Sequence, residues 1–261
     1  MIFRFPGSKA KLLNSLTPFL DGLLKGHRCF YDVFTGGGAV ALFVARRHPR
    51  MELHLNDLDP EISAFWRVVV GNGVRELCDR LRLRPTIDFF FELRKQKPKN
   101  DVDRAFRAVF FNRCCFSGLL HGNPLGGGRQ ISANKVFGRY NGKRLVQEIM
   151  EAHKLLSGRT SVTCQDGAEY VRHYPEAPKY CDPPYWAKGD VLFRQRMRLA
   201  DHLRLADALK HTSNWIISYD RSPAIEEFYR WAVCYRIPTR YSVSGKKTNW
   251  ATNEELVIVP G

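Results

Sequence analysis

The chain has 261 residues, enough for one large α/β domain, alone or interrupted by a smaller insert. Its 41 Lys and Arg against 26 Asp and Glu give a formal charge of +15, which attracts polyanions and makes nucleic acid the first partner to consider. The seven cysteines include no CxxC pair, which excludes the usual zinc-ribbon and thioredoxin-like frameworks, and no run approaches the roughly 18 apolar residues of a membrane span. The expectation is a soluble, intracellular protein with reduced thiols, in which the adjacent Cys114 and Cys115 pack as small hydrophobes.

Over residues 9–24, Leu12, Leu13, Leu16, Phe19, Leu20, Leu23 and Leu24 follow helical spacing with one buried face. Pro6-Gly7-Ser8-Lys9 opens this helix, where free backbone amides favour an anion such as a carboxylate. An ordinary helix start fits as well, and a Walker A loop does not, because its first glycine and its Lys-Ser/Thr pair are missing. Residues 29–33 read as a strand, closed by Thr35-Gly36-Gly37-Gly38 and followed by a helix over 39–48. A second strand over 52–56 ends at Asp57. The next helix starts near Asp59-Pro60, since Asp caps and Pro fits the first turn. This is a βαβ opening.

From 74 to 115 the periodicity is helical, and from 117 to 142 it dissolves into Gly, Asn, Arg and Ser. The pattern predicts an inserted helical subdomain with a long basic loop, for which a binding role and a flexible linker both fit. Strands resume over 161–164, 179–181, 215–219 and 256–259, with an amphipathic helix over 199–209, so an α/β sheet closes the chain.

Ligands of such sheets sit at the carboxyl ends of the strands. There, Phe34-Thr35-Gly36-Gly37-Gly38 lets a backbone approach a ligand closely, and Asp57 is suited to ribose hydroxyls, which together suggest a cofactor containing adenosine. Plain turn chemistry fits the loop equally, since Val40 and Ala41 fill the region of the third glycine of a G-x-G-x-x-G fingerprint. Asp182-Pro183-Pro184-Tyr185 follows the strand over 179–181. Two prolines fix φ twice and remove two N–H donors, leaving a rigid shelf of carbonyls and two side chains. A strand-ending Asp-Pro turn explains it too. A shelf of this kind also suits the amino group of adenine, whose lone pair is delocalised into the ring. A carboxylate and a carbonyl that each accept one N–H draw that nitrogen toward tetrahedral geometry.

The order and context of these elements resemble the Dam-type DNA adenine-N6 methyltransferases, including small phage enzymes, over nearly the whole chain. Arg4-Phe5-Pro6-Gly7-Ser8-Lys9 is similar to the family's Lys-Trp-x-Gly-Gly-Lys, and the stretch from Asp32 to Gly38 to its Pro-Phe-x-Gly-x-Gly, with Val33 in place of the proline. Cys164-Gln165-Asp166 stands at its acidic turn, and Asp182-Pro183-Pro184-Tyr185 is its Asp-Pro-Pro-Tyr unchanged. In the insert, Asn112-Arg113-Cys114-Cys115-Phe116-Ser117-Gly118-Leu119 is similar to Asn-Arg-x-x-Tyr/Phe-Asn-Gly-Leu, and Val136-Phe137-Gly138-Arg139-Tyr140 to Pro-Phe-Gly-Arg-Tyr.

The resemblance implies a Rossmann-like α/β sheet flanked by helices, with residues 1–70 and 145–261 binding S-adenosylmethionine and a mostly helical insert, 71–144, recognising the DNA target. It assigns Phe5, Lys9, Asp32, Phe34, Gly36, Gly38, Asp57, Asp166 and Asp182 to the cofactor, and catalysis to Asp182, Pro183, Pro184 and Tyr185, without a metal. Arg113, Phe116, Leu119, His121, Arg139 and Tyr140 are expected to face double-stranded DNA. The resemblance further suggests a monomer in the cytoplasm of a bacterial or phage-infected cell. His121 stands where relatives that read GATC carry an arginine, which removes a bidentate donor to guanine worth about 1–3 kcal/mol of discrimination, so the target is GATC or a variant. Two alternatives stay open: methylation of another base, and a DNA-binding protein that has lost its activity. The stretch 240–253, with Lys246 and Lys247, reads either as a phosphate contact or as a solvated hairpin.

Overall fold

A computed structural model gives the fold and describes residues 2–5, 9–186, 197–239 and 253–261. Seven strands form one sheet in the order β3-β2-β1-β4-β5-β7-β6. β1 (Cys29–Asp32), β2 (Glu52–Asn56), β3 (Thr160–Thr163), β4 (Lys179–Cys181) and β5 (Trp215–Asp220) run parallel. β7 (Asn253–Val259) slots antiparallel between β5 and β6 (Val233–Thr239). The chain builds outward from β1 to β3 and then returns to lay β4 on the other side of β1, with Asp32 opposite Tyr180. The order therefore reverses between β1 and β4, and a crevice forms there at the strands' carboxyl ends.

Successive side chains of the central strands point to opposite faces, and each face is covered. Phe30, Ile216 and Val257 pack into one cluster with α1 (Leu13–Leu24), α2 (Ala39–Arg47), α3 (Pro60–Val70) and α7 (Gly142–Leu156). Tyr31, Ile217 and Ile258 pack into the other with α8 (Gly167–His173), α9 (Leu199–Lys210) and α10 (Pro223–Phe228). The helix expected over 9–24 begins as a tight turn at Lys9–Lys11 before α1. Asp59 caps α3 as expected, accepting the Glu61 N–H at 2.8 Å with Pro60 in the first turn.

The insert supplies α4 (Val74–Arg80), α5 (Ile87–Lys95) and α6 (Asp101–Cys114). Phe90, Phe106, Phe110 and Phe111 join the same apolar cluster as Phe30, so the insert is packed onto the sheet's helical layer. The boundary expected at 144/145 falls inside α7, whose start Asn141 caps by accepting the Arg144 N–H at 3.0 Å. The seven cysteines are free, with Cys114 and Cys115 buried in the apolar cluster. Among the described residues, no helix is long and apolar enough to cross a membrane.

Candidate active site

The glycine loop after β1 rests on Trp66 of α3 and on Asp57, just past β2. Gly38 caps α2 in the left-handed region at φ 69°, and a Cβ there would run into the Trp66 ring. Trp66 donates its indole N–H to the Gly36 carbonyl at 2.9 Å. Gly36, at φ 46°, faces open space, because the nearest atom to an added Cβ is the Phe34 carbonyl oxygen at 4.0 Å. A ligand can therefore lie against this backbone. Asp57, just past β2, organises the loop from below: Oδ2 accepts the Gly36 N–H at 2.8 Å and Oδ1 the Asp59 N–H at 2.9 Å. Burial pushes its carboxyl up to about 7, against the pull of those two amides.

Other sequence-assigned residues line the same edge. Asp32 is buried, and burial together with the charges of Asp182 and Asp57 raises its carboxyl well above the usual range. Phe5 stacks on Phe3 at 5.2 Å beside Gly37. Phe34 lies against Gly167, whose missing Cβ leaves room for the ring. Asp166 caps α8 by accepting the Ala168 and Glu169 N–H groups at 3.1 Å and pairs with Arg204 at 3.0 Å. Its carboxylate is thus already engaged by the protein. Pro6, Gly7 and Ser8 lie outside the described residues.

Across the crevice, Asp182-Pro183-Pro184-Tyr185 leaves the end of β4, and Lys9 reaches it from the N-terminal turn. Lys9 Nζ lies 2.5 Å from Asp182 Oδ1 and 2.9 Å from both Glu255 Oε1 and the Tyr185 hydroxyl, and that hydroxyl donates to Glu255 Oε1 at 2.6 Å. Ser218 Oγ approaches the same Asp182 oxygen at 3.5 Å. Burial opposes the charge on Lys9, but Asp182, Tyr180 and Glu255 outweigh it and hold the ammonium well above the ordinary lysine range. Burial lifts Asp182 to about 6; Lys9 pulls it back, and Glu255 adds to the rise. One buried cation is shared by two carboxylates, of which Asp182 is the more open, with 24% of its side chain exposed against 2% for Glu255. Lys9, assigned from sequence to the cofactor, has its ammonium on the Asp182 carboxylate. Glu255 was not singled out from sequence, although a carboxylate beside the apolar run Leu256-Val257-Ile258 was a usable signal.

Residues 5–243 match the family described as D12 class N6 adenine-specific DNA methyltransferase. The chain belongs to this family. It is 26% identical over 235 residues to the type II methyltransferase M.MjaIII of Methanocaldococcus jannaschii, an alignment covering 78% of this chain and 79% of that protein. It is 25% identical over 224 residues to the type II methyltransferase M.CviBI of Paramecium bursaria Chlorella virus NC1A, covering 82% and 79%. A DNA N-6-adenine-methyltransferase of Escherichia phage P1 is 26% identical over 246 residues, covering 87% of this chain but 31% of the phage protein. Methyltransferase activity and a DNA substrate follow from this membership.

In this D12 class enzyme, the insert's turn over 116–122 sits beside the N-terminal segment. Asn112 joins the two, its Oδ1 accepting the Arg4 N–H at 2.7 Å and its Nδ2 donating to the Gly118 carbonyl at 2.8 Å. Phe116 is 64% exposed, His121 and Arg139 are exposed, and Leu119 is half-buried. Two residues expected to face DNA are held by carbonyls of the protein. Arg113 is buried and donates to the Ile2 carbonyl, with Nε at 2.9 Å. Tyr140 is half-buried, donates to the Leu81 carbonyl at 2.9 Å and packs its ring 6.0 Å from Phe110. Both lie at the junction between the insert and its neighbours, where fixing backbone carbonyls outweighs a solvent-facing role. Sequence reasoning also missed Arg94 of α5, which donates to the Leu120 carbonyl at 2.9 Å and the Gly122 carbonyl at 3.0 Å while stacking 4.0 Å over Phe111. It clamps the chain on both sides of His121.

Proposed function

We propose that the chain transfers the methyl group of S-adenosylmethionine to N6 of an adenine flipped out of duplex DNA, within GATC or a variant of it. The observation that carries this reading is the Asp182 cluster: a part-exposed carboxylate on a rigid Pro-Pro shelf, at the sheet's switch point beside the open glycine loop. The loop fits the cofactor because backbone at Gly36 is approachable and Asp57 stands beneath it. Gly36, Gly38, Asp57, Phe5, Phe34 and Asp32 would hold it, with Asp166 at the rim; once bound, it supplies an electrophilic methyl group.

The protein's own residues do the rest. The target base leaves the stack, because N6 is otherwise out of reach, and docks against Tyr185. Lys9 and Ser218 both engage Asp182 Oδ1, so we assign Oδ2, with the Pro183 carbonyl, to the two N6 hydrogens. These acceptors localise the nitrogen lone pair and hold it on line. Phe116, Leu119, His121 and Arg139 meet the DNA. An imidazole at 121 lacks the fork of an arginine, which favours a target that departs from GATC at a guanine. Asp182→Ala should lower methyl transfer by at least about a thousandfold in protein that still folds, with a lower unfolding temperature because buried Lys9 keeps only Glu255 as its carboxylate partner; substantial residual turnover would remove Asp182 from its assigned role.

A further inference from the structure

Glu255 is a carboxylate on β7, a strand whose neighbouring positions Leu256, Val257 and Ile258 are fully buried and apolar. An ionised group in such a place is costly unless it is paired and hydrogen-bonded. Among the described residues its partners are the Tyr185 hydroxyl at 2.6 Å and the Lys9 ammonium at 2.9 Å, both in the proposed active site. Three segments distant in sequence thus meet at one carboxylate, and β7 contributes to a site that otherwise rests on the N-terminal turn and the end of β4. The antiparallel insertion of β7 beside β5, with Glu255 opposite Asp220, brings it there.

We propose that Glu255 is a positioning residue for methyl transfer: it anchors the Tyr185 ring by its hydroxyl and draws part of the Lys9 charge away from Asp182, keeping that carboxylate available to the target amine. The proposal rests on the assignment of Asp182 and Tyr185 to the target adenine. The rigid Pro183-Pro184 shelf sets the backbone of Tyr185, and its hydroxyl is held at the far end by Glu255, to which it donates, with Lys9 beside both. Without it, Lys9 would settle on Asp182 alone. Lys9 from the N-terminal turn, Ser218 from β5 and Glu255 from β7 act on the ionisation of Asp182, whose charge in turn raises Asp32 on β1 and Tyr180 on β4.

Glu255→Gln keeps an oxygen for the Tyr185 hydroxyl and removes the charge. With saturating cofactor and duplex DNA, kcat at pH 8 should fall by about tenfold. The acid limb of the kcat profile should also move down by about one pH unit, because Asp182 loses a repelling neighbour and gains the whole of Lys9. A merely structural role would lower stability and leave that limb in place. Tyr185→Phe is the companion variant: it loses the ring anchor and keeps both charges, so kcat should fall while the limb stays. Wild-type kcat and an unmoved limb in Glu255→Gln would overturn the proposal. Should that variant not fold, wild-type kcat in Tyr185→Phe would overturn the anchoring. A wild-type chain that methylates no adenine would instead remove the functional reading beneath both.

Discussion

Ionised, Asp182 is the stronger acceptor for an amine N–H, and its environment makes ionisation harder than for an ordinary aspartate. Burial raises the carboxyl from 3.8 to about 6, so the competent form is complete above about pH 7 and is lost as pH falls through 6, not near 4. At saturating cofactor, kcat should therefore be flat from pH 7.5 to 8.5 and drop roughly tenfold for each unit below 6, which a stopped-time assay with tritiated methyl donor reads directly. Asp57 titrates close by, at about 7, but it belongs to the glycine loop, and its protonation should appear in the KM for the cofactor. A flat kcat down to pH 5 would mean that Asp182 does not accept the amine. At this scale the motifs were legible in the sequence and the side-chain orientations were not. The Asp-Pro-Pro-Tyr tetrapeptide and the glycine loop stand where the sequence placed them. Arg113 and Tyr140 belong to equally recognisable motifs, yet a motif names a residue without saying which side of the backbone its side chain takes. Glu255 was harder still, because its partners are Lys9 and Tyr185, far away in sequence.

The elements explain why the loops hold still. Gly38 is the point where β1, α2 and α3 meet: it is left-handed, and the Trp66 ring fills the place of a side chain. Gly38→Ala should destabilise the fold by about 2–4 kcal/mol, from left-handed strain and a collision with a buried ring, and should weaken cofactor binding; urea melts with and without cofactor check both. In the insert, Arg94 holds the carbonyls on either side of His121. Arg94→Leu should raise the KM for target DNA by about tenfold and relax the preference for the target sequence, with cofactor affinity unchanged, since the turn that presents His121 loses two charge-assisted hydrogen bonds. Unaltered KM and selectivity would separate the clamp from DNA reading. Strand β2 was legible because Leu53 and Leu55 alternate with polar residues up to Asp57, and β4 because Pro178 and Pro183 bracket a short run with Tyr180 and Cys181. α7 was not, since Asn141-Gly142-Lys143-Arg144 reads as the end of a loop. Nor was β6, an edge strand in which Arg236 and Pro238 break the pattern, as an edge permits.

Over the whole molecule, a seven-stranded sheet with its switch-point crevice, an insert packed on one helical layer and a net charge of +15 suit an enzyme of the D12 class acting on DNA. The order of elements along the chain made the βαβ opening and the closing strands readable. The extent to which the insert shares a core with the sheet was not, because the common apolar cluster that holds Phe30 and the insert's phenylalanines has no trace in local periodicity. The stretch 240–252, including Lys246 and Lys247, lies outside the described residues. We propose that this D12 class enzyme methylates adenine N6 within one short duplex sequence, read in part by His121. The most direct test is to express the chain in a host that lacks adenine methylation and map modified bases by single-molecule sequencing of the genomic DNA. N6-methyladenine confined to one short motif, with a departure from GATC at a guanine, is the expected result. Unmodified adenines, from protein shown to bind S-adenosylmethionine, would contradict it.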